Sequence, residues 1–373
     1  METSDKKPSP AAAPESRFTV SPMTLAADRW MGRLIRFGGV GVVLAVFGML
    51  AFLIFQVFPL FTGAKVTPVG SLAVPANAVA FGEDEYGDFP YVVLADGKVV
   101  FQRASDGKKA HEWAPALGEL KVSAVRSYPR AGLIFLGLSD GSVQELRVAY
   151  RSTFDAAGKR AIEPVVTTLP PVAIGKPGVP CQEVWNAKGP QSRLMLVRQE
   201  VAGKPLLTAV RLTERKGLGG KARVTVSAPF VVAADAASVE KVLLPSTAES
   251  LIVVGKSGEV RTYADDGETF SFLQAFVPFK DAAEPAVASA GMIFGNVSVV
   301  FVGRTGEQQV WSMYPQLQPD GKSLRRWGKI HDGETLAGAG EGVYAAEGNK
   351  CYLAVAGGKL QIRNMTTGSL RWE

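Results

Sequence analysis

Six times between residues 91 and 365 the chain writes an apolar run, a glycine-bearing turn and a second run that alternates apolar with polar. The copies are "YVVLADGKVVFQR" (91–103), "LIFLGLSDGSVQELRV" (133–148), "LMLVRQEVAGKPLLTAVRL" (194–212), "LIVVGKSGEVRTYA" (251–264), "VVFVGRTGEQQVWSMY" (299–314) and "YLAVAGGKLQIRNM" (352–365). In the first, Asp96-Gly97 tolerates the positive φ that a two-residue hairpin turn requires. A further strand-like stretch precedes some copies, as in "VSAVRSYP" and "VEKVLLPS", and a second turn signal follows others, as in "SDGK", "DDGE" and "TTGS". Each unit thus reads as about four strands. The turn glycines Gly97, Gly141, Gly203, Gly258, Gly306 and Gly357 stand 52 residues apart on average. Units of ~40–50 residues with four strands each are the pattern of β-propeller blades. A β-sandwich spaces its strands similarly but has no cause to repeat one unit six times. Packing blades in a ring buries the faces that a lone four-stranded sheet exposes, and the last blade meets the first. The sequence therefore predicts an all-β domain over 66–373, a propeller of four-stranded antiparallel sheets with about six blades and room for seven. The third unit is the least regular, and residues 155–180 read as an insertion or a long outer loop.

Composition agrees with many short strands. Of 373 residues 47% are hydrophobic, enough for a sizeable core, and 40 Gly with 23 Pro exceed what a helical protein tolerates. The formal charge is +6, from 41 basic and 35 acidic residues. Spread over the whole chain, that surplus does not make a nucleic-acid face, and the runs "GKK" and "LRR" read as solvated turns.

A second feature bounds the class of protein. From Phe37 to Ala64 there is no charged residue: "FGGVGVVLAVFGMLAFLIFQVFPLFTGA". About 20 apolar residues at ~1.5 Å each cross a bilayer core of ~30 Å. A cleaved signal sequence has a shorter apolar region nearer the start, and a soluble helix is rarely apolar on every face for so long. The stretch reads as a single transmembrane helix within 21–62, with Ser21-Pro22 as its N-cap and first turn. Arg29, Arg33 and Arg36 precede it and only Lys65 stands close after it. The positive-inside rule then places the N-terminus in the cytoplasm and everything beyond the helix outside. Residues 1–20, polar and rich in Pro and Ala, read as a disordered cytoplasmic tail.

Chemistry is hard to find. His111 and His331 are the only histidines and belong to no metal motif, His331 reading as a turn residue. No nucleophile elbow or P-loop pattern occurs, and "GLGGK" (217–221) lacks the following helix that a phosphate loop needs. Cys181 and Cys351 fall in different units and read as two unpaired thiols. The acidic stretches "EDEYGD" (83–88) and "ADDGE" (264–268) depart from calcium-loop spacing and read as ordinary turns. No catalytic, cofactor-binding or metal-binding residue is assigned, and no cofactor is expected; the reading is non-enzymatic.

The junction "LIFQVFPLFTGAKVTPVG" (53–70) resembles the N-terminal region of a long form of bacterial phosphate ABC-transporter permease. There a basic tail leads into a first helix ending in Pro-Leu-Phe-x-Gly-Ala, followed by a large exported WD40-like propeller and then the permease helices. Pro59, Leu60, Phe61, Gly63 and Ala64 match that junction, and "FQRASDGK" (101–108) is similar to the end of the family's first blade. The resemblance implies an inner-membrane protein with a periplasmic propeller. Its expected partners are ABC permease and ATPase subunits or a periplasmic solute-binding protein, with no nucleic acid. The permease helices lack a counterpart in this chain, so it reads as the anchor and exported domain of such a protein, split, truncated or stand-alone, and no residue for phosphate passage carries over. The alternative is a cell-envelope scaffold propeller unrelated to phosphate.

Overall fold

The computed structural model describes residues 21–58 and 72–372, apart from 86, 155–157, 159, 190–191, 217–221, 294–296, 318–322, 336–339, 346–350, 357 and 365–368. It divides into two compact units, Met1–Val69 and Gly70–Glu373.

In the first unit a single helix, α1, runs over Pro22–Val57. It starts as the sequence predicts: Ser21 is the N-cap, its Oγ accepting from the Met23 amide at 3.3 Å, and Pro22 fills the first turn where no amide donor is needed. None of its residues is buried, and its large apolar side chains are exposed on every face. The uncharged portion from Phe37 to Val57 covers about 32 Å, the thickness of a hydrocarbon core. By length and composition this helix can cross a membrane. The tail 1–20 and most of the 53–70 junction lie outside the described residues.

The second unit is built of six antiparallel sheets in chain order. The first holds β1 (Ala78–Gly82), β2 (Tyr91–Leu94), β3 (Val99–Gln102) and β4 (Lys109–Trp113). The second holds β5 (Val122–Tyr128), β6 (Leu133–Leu138), β7 (Ser142–Phe154) and β8 (Arg160–Thr168), with the short β9 (Val172–Ala173) also on β7. The third holds β10 (Glu183–Lys188), β11 (Arg193–Val201), β12 (Lys204–Lys216) and β13 (Ala222–Val226), with β14 (Phe230–Val232) on β12. The fourth is β15 (Lys241–Leu243), β16 (Ser250–Val254), β17 (Val260–Asp265) and β18 (Phe270–Phe276). The fifth is β19 (Val287–Ile293), β20 (Ser298–Gly303), β21 (Gln308–Leu317) and β22 (Ser323–Gly333). The sixth is β23 (Gly340–Ala345), β24 (Cys351–Ala356), β25 (Lys359–Asn364) and β26 (Leu370–Trp372). In every sheet the four main strands pair in sequence order, each with the next.

The second strand of each unit explains why its sequence is apolar without interruption. Along a strand successive side chains face opposite sides, and here both sides meet a neighbouring sheet. Leu194 and Leu196 pack toward Val242, Leu251 and Val253 of the fourth sheet, whereas Met195 and Val197 pack toward Phe135 and Val143 of the second. The fourth sheet repeats the division, with Leu251 and Val253 to one side and Ile252 and Val254 toward Val299 and Phe301. Ile134 and Leu136 meet Tyr91 and Phe101 of the first sheet, and Val300 and Val302 meet Tyr352 and Ala354 of the sixth. Each such aliphatic burial contributes about 1.5–3 kcal/mol. The clusters link each sheet to the next from first to sixth. Among the described residues none links the sixth back to the first.

The turns between second and third strands differ from the two-residue expectation. Gly97 has φ 82°, its amide donating to Leu94 O at 2.9 Å, while the Leu94 amide donates to Lys98 O at 2.9 Å. That is a three-residue loop, Ala95-Asp96-Gly97, closed by a glycine in the left-handed region. Gly258 and Gly306 close equivalent loops, with amides donating to Gly255 O and Gly303 O. The third sheet uses two residues, Ala202 and Gly203, both at positive φ, between paired Val201 and Lys204, and in the sixth Ala356 pairs directly with Lys359. Gly357 lies outside the described residues; its neighbour Gly358 has φ 73°.

Two further expectations are corrected. Residues 155–180 are no insertion, because β8 within them is the fourth strand of the second sheet, Leu146 through Phe154 pairing with Thr168 through Arg160. His331 and the "LRR" run are strand rather than turn, both on β22, with His331 opposite Val310 and Arg325 opposite Pro315. Both acidic stretches do form turns held by aspartate side chains. Asp266 makes an Asx turn, accepting the amides of Glu268 and Thr269 at 3.0 and 2.6 Å, while Asp84 closes a wider loop, accepting those of Asp88 and Phe89, four and five residues on, at 3.0 and 2.7 Å. The loop 217–221 lies outside the described residues.

Candidate functional site

The sheets share a direction. A side chain added at Gly97, in the β2–β3 turn, would sit 3.0 Å from Val122 at the start of β5. One added at Gly141, in the β6–β7 turn, would meet Lys176 O and the amide of Gln199, which lies beside the β11–β12 turn. Gly203, Ser238 and Lys256 border one depression, uniting the corresponding turns of the third and fourth sheets. Gly258 approaches Pro285, just before β19. The turns between second and third strands of sheets one to five therefore lie at one common end. The turns between first and second, and between third and fourth strands, lie at the other.

At that other end three sheets overhang. β6 pairs with β7 only as far as Arg147, so Val148–Phe154 continues as a two-stranded ribbon with β8 alone. β12 outruns β11 after Leu212 and continues with β13, and β21 outruns β20 after Ser312 and continues with β22. At about 3.3 Å per residue the overhangs of seven, four and five residues reach roughly 23, 13 and 17 Å. Large apolar side chains stand out on them: Phe154 is 71% exposed, Leu317 75% and Val224 55%. Arg151, Arg325 and Arg326 are exposed beside them.

The β21–β22 ribbon also walls a cleft of about 400 Å³ between the fourth and fifth sheets. Leu273, Val297, Met313 and Leu324 give it an apolar lining, and Glu249, Asp265 and Arg325 supply charge. Asp265 is already committed to Arg211 of the third sheet, whose Nη1 donates to Oδ2 at 3.0 Å and whose Nη2 donates to Oδ1. A matching pair ties the second sheet to the third: Arg193 donates to Glu145, which also accepts from Arg147 at 2.8 Å, and lies 5.2 Å over the Phe135 ring. These charged contacts hold the sheets in register beneath the ribbons.

The histidines and the described cysteine lie elsewhere. Cys181 is a free buried thiol, pushed up to about 11 by burial, so it stays protonated at neutral pH. Burial lowers His331 below the usual imidazole value, partly offset by Asp332, and neither ring nitrogen has a hydrogen-bond partner. His111 is exposed on β4, its ring edge-on to Phe89 at 6.3 Å. Among the described residues no group of three His, Cys, Asp or Glu side chains could hold a metal ion. What the arrangement offers is surface: three ribbons and an apolar cleft at one end of a well-packed frame. Sequence reasoning assigned no site residues and missed both features.

No family model matches the chain, and no curated protein matches it significantly. Solved structures similar to it include the computationally designed Ika8 protein (13% identity over 80% of this chain and 75% of that one, TM-score 0.46). Others are Sqt1 of Saccharomyces cerevisiae (13%, 79% and 73%, 0.43) and the β-propeller domain of Cps50 (Swd1) of Myceliophteria thermophila (11%, 79% and 99%, 0.35). All score below 0.5, and the architecture rests on its own strand pairing.

Proposed function

We propose that the six sheets are blades of a closed six-bladed β-propeller, anchored in a membrane by α1, which works by binding proteins and not by catalysis. The observation that carries this reading is the succession of sheets in one strand order, with the second strands of sheets two to five buried between two neighbours. An open stack would leave the terminal sheets with bare apolar faces. Those sheets carry Val79 at 52% and Phe81 at 78% exposure on β1, with Leu360 and Leu370 at 45% and 42% on the sixth, the surfaces that closure would bury. A rigid frame with turns at both ends suits recognition of proteins.

The partner we propose is an ABC-type phosphate transporter, through its permease or ATPase subunits or its solute-binding protein. Pro59, Leu60, Phe61, Gly63 and Ala64 support it by their match to that family's junction. On this reading the chain sits in a bacterial inner membrane with its N-terminus cytoplasmic and the propeller in the periplasm. Affinity purification of the full chain from solubilised membranes tests it. Co-purifying ABC permease and ATPase subunits are expected. Recovery of envelope proteins without any transporter subunit would replace this partner with a general scaffold role.

A further inference from the structure

We propose that the three overhanging ribbons dock on an anionic phospholipid surface. The inference rests on the reading of α1 as a membrane anchor and adds a second, reversible contact between the chain and the bilayer.

Charge is the first argument. The ribbon strands 148–154, 160–166, 213–216, 222–225, 313–317 and 323–327 carry seven Lys and Arg against two Asp and Glu. The rest of 70–373 carries 27 basic and 29 acidic residues. The excess positive charge of the unit therefore lies on the 32 ribbon residues, where Arg151, Arg325 and Arg326 are exposed. The turns at this end that carry no overhang are acidic, with Glu83, Asp84, Glu85 and Asp88 between β1 and β2, Asp88 lying 3.5 Å from Arg160, and Asp265, Asp266 and Glu268 at the β17–β18 turn, so the basic groups stand on the parts that project. Arg211 occupies Asp265, and local backbone amides and Ser271 occupy Asp266.

Apolar side chains are the second. Phe154 and Leu317 end the first strands of their ribbons and are more than two-thirds exposed, Leu324 is exposed on the strand that partners Leu317's, and Val224 is exposed on the third ribbon. The bases of two ribbons are covered, Val148, Tyr150 and Val166 packing on the first sheet and Trp327 on the fourth, but Phe154, Leu317, Val224 and Leu324 lie beyond that cover. Basic groups beside projecting aromatic and aliphatic ones suit the headgroup boundary, where the charges meet phosphates and the apolar tips enter the acyl edge. An acidic protein surface would match the arginines but would leave Phe154 and Leu317 unexplained.

Reach is the third. The twelve residues from 58 to 69 span at most about 43 Å when fully extended. On the anchor reading the tether therefore keeps the unit within that distance of the bilayer, which raises its effective concentration at the lipid surface.

The test uses the full chain in nanodiscs of pure phosphatidylcholine or of phosphatidylcholine mixed with phosphatidylglycerol, read by amide hydrogen exchange. The ribbons should exchange more slowly in the anionic discs alone, and raised salt should abolish the difference. The β17–β18 hairpin should be indifferent to lipid and serves as the folded control. Substituting Arg151, Arg325 and Arg326 by Gln should lower the docked-to-free ratio by about a hundredfold and remove the lipid-dependent protection. Equal ribbon exchange in both lipids, with α1 protected in both, overturns the docking and leaves the anchor standing. An α1 that exchanges freely in both overturns the anchor itself. Ribbon protection that depends on an added membrane protein and not on lipid charge also overturns the proposal, and assigns this end to a protein partner.

Discussion

Arg211 of β12 reaches across from the third sheet to Asp265 of β17 in the fourth, presenting two guanidinium nitrogens to two carboxylate oxygens. The guanidinium also lies 5.4 Å from the Phe230 ring centre and 6.0 Å from that of Phe270. Pair and rings close the junction between sheets, and the two charged side chains are only 13% and 23% exposed.

Removing one partner should therefore cost more than an exposed ion pair would. Asp265→Ala leaves Arg211 largely desolvated without its carboxylate, and a loss of about 2 kcal/mol in unfolding free energy is expected. Lys98→Ala breaks the exposed pair with Asp96 and should change stability by less than about 0.5 kcal/mol. Equal effects in denaturant titrations would show that the Arg211 junction carries no special weight.

Glycines with the same backbone angle should respond differently. Gly258 and Gly203 both lie in the left-handed region, at φ 85° and 74°. A Cβ at Gly258 would fall 2.0 Å from Pro285 O, whereas at Gly203 nothing lies within 4 Å. Gly203→Ala meets backbone strain alone, about 1 kcal/mol, while Gly258→Ala must also push the 285–286 backbone away and should cost several kcal/mol. Matching denaturation midpoints for the two variants would mean that the Pro285 contact yields freely.

These particulars show which parts of the molecule were legible in the sequence. The hairpins could be read because Gly97, Gly258 and their equivalents sit between runs that are buried on both faces, which forces an uninterrupted apolar signal. The ribbons could not. The outer runs "RSTF" of β7 and "LRR" of β22 are exposed at every residue and so show no apolar alternation, and Pro164 and Pro315 within paired segments argue against strand. The cleft beside Asp265 was hidden for another reason: its walls come from separate sheets, and no local pattern announces which residues will meet.

His331 gives a pH prediction. Burial lowers its folded value below the ordinary 6.5, against a smaller opposing effect of Asp332, and both ring nitrogens lack partners. The unfolded chain then binds the proton more readily than the folded one. Stability from this position is fully present above about pH 6.5 and is lost as pH falls through the lowered folded value. His331→Leu should flatten the stability profile between neutral and mildly acidic pH, leaving the steeper carboxylate-driven loss at lower pH unchanged. An identical slope in both proteins just below pH 6.5 would remove His331 as its source.

The orientation of the anchor is open to direct test. Arg29, Arg33 and Arg36 lie within α1 just before its uncharged portion, and Lys65 is the only basic residue close beyond it. Arg29 and Arg33 are one turn apart, as are Arg33 and Arg36, so the three fall on one side of the helix. Basic residues within some 15–20 positions of a span favour the cytoplasmic side, and acidic ones such as Asp28 count for little. A reporter fused at residue 10 should therefore signal cytoplasm, and one fused after Glu373 should signal the exterior. Replacing the three arginines by glutamate leaves Arg17 to oppose Lys65 across the span and should produce a mixed or inverted population. Since the proposed transporter role places residues 70–373 in the periplasm, a cytoplasmic signal from the C-terminal reporter in the unmodified chain would remove that setting and with it the phosphate-transporter partner.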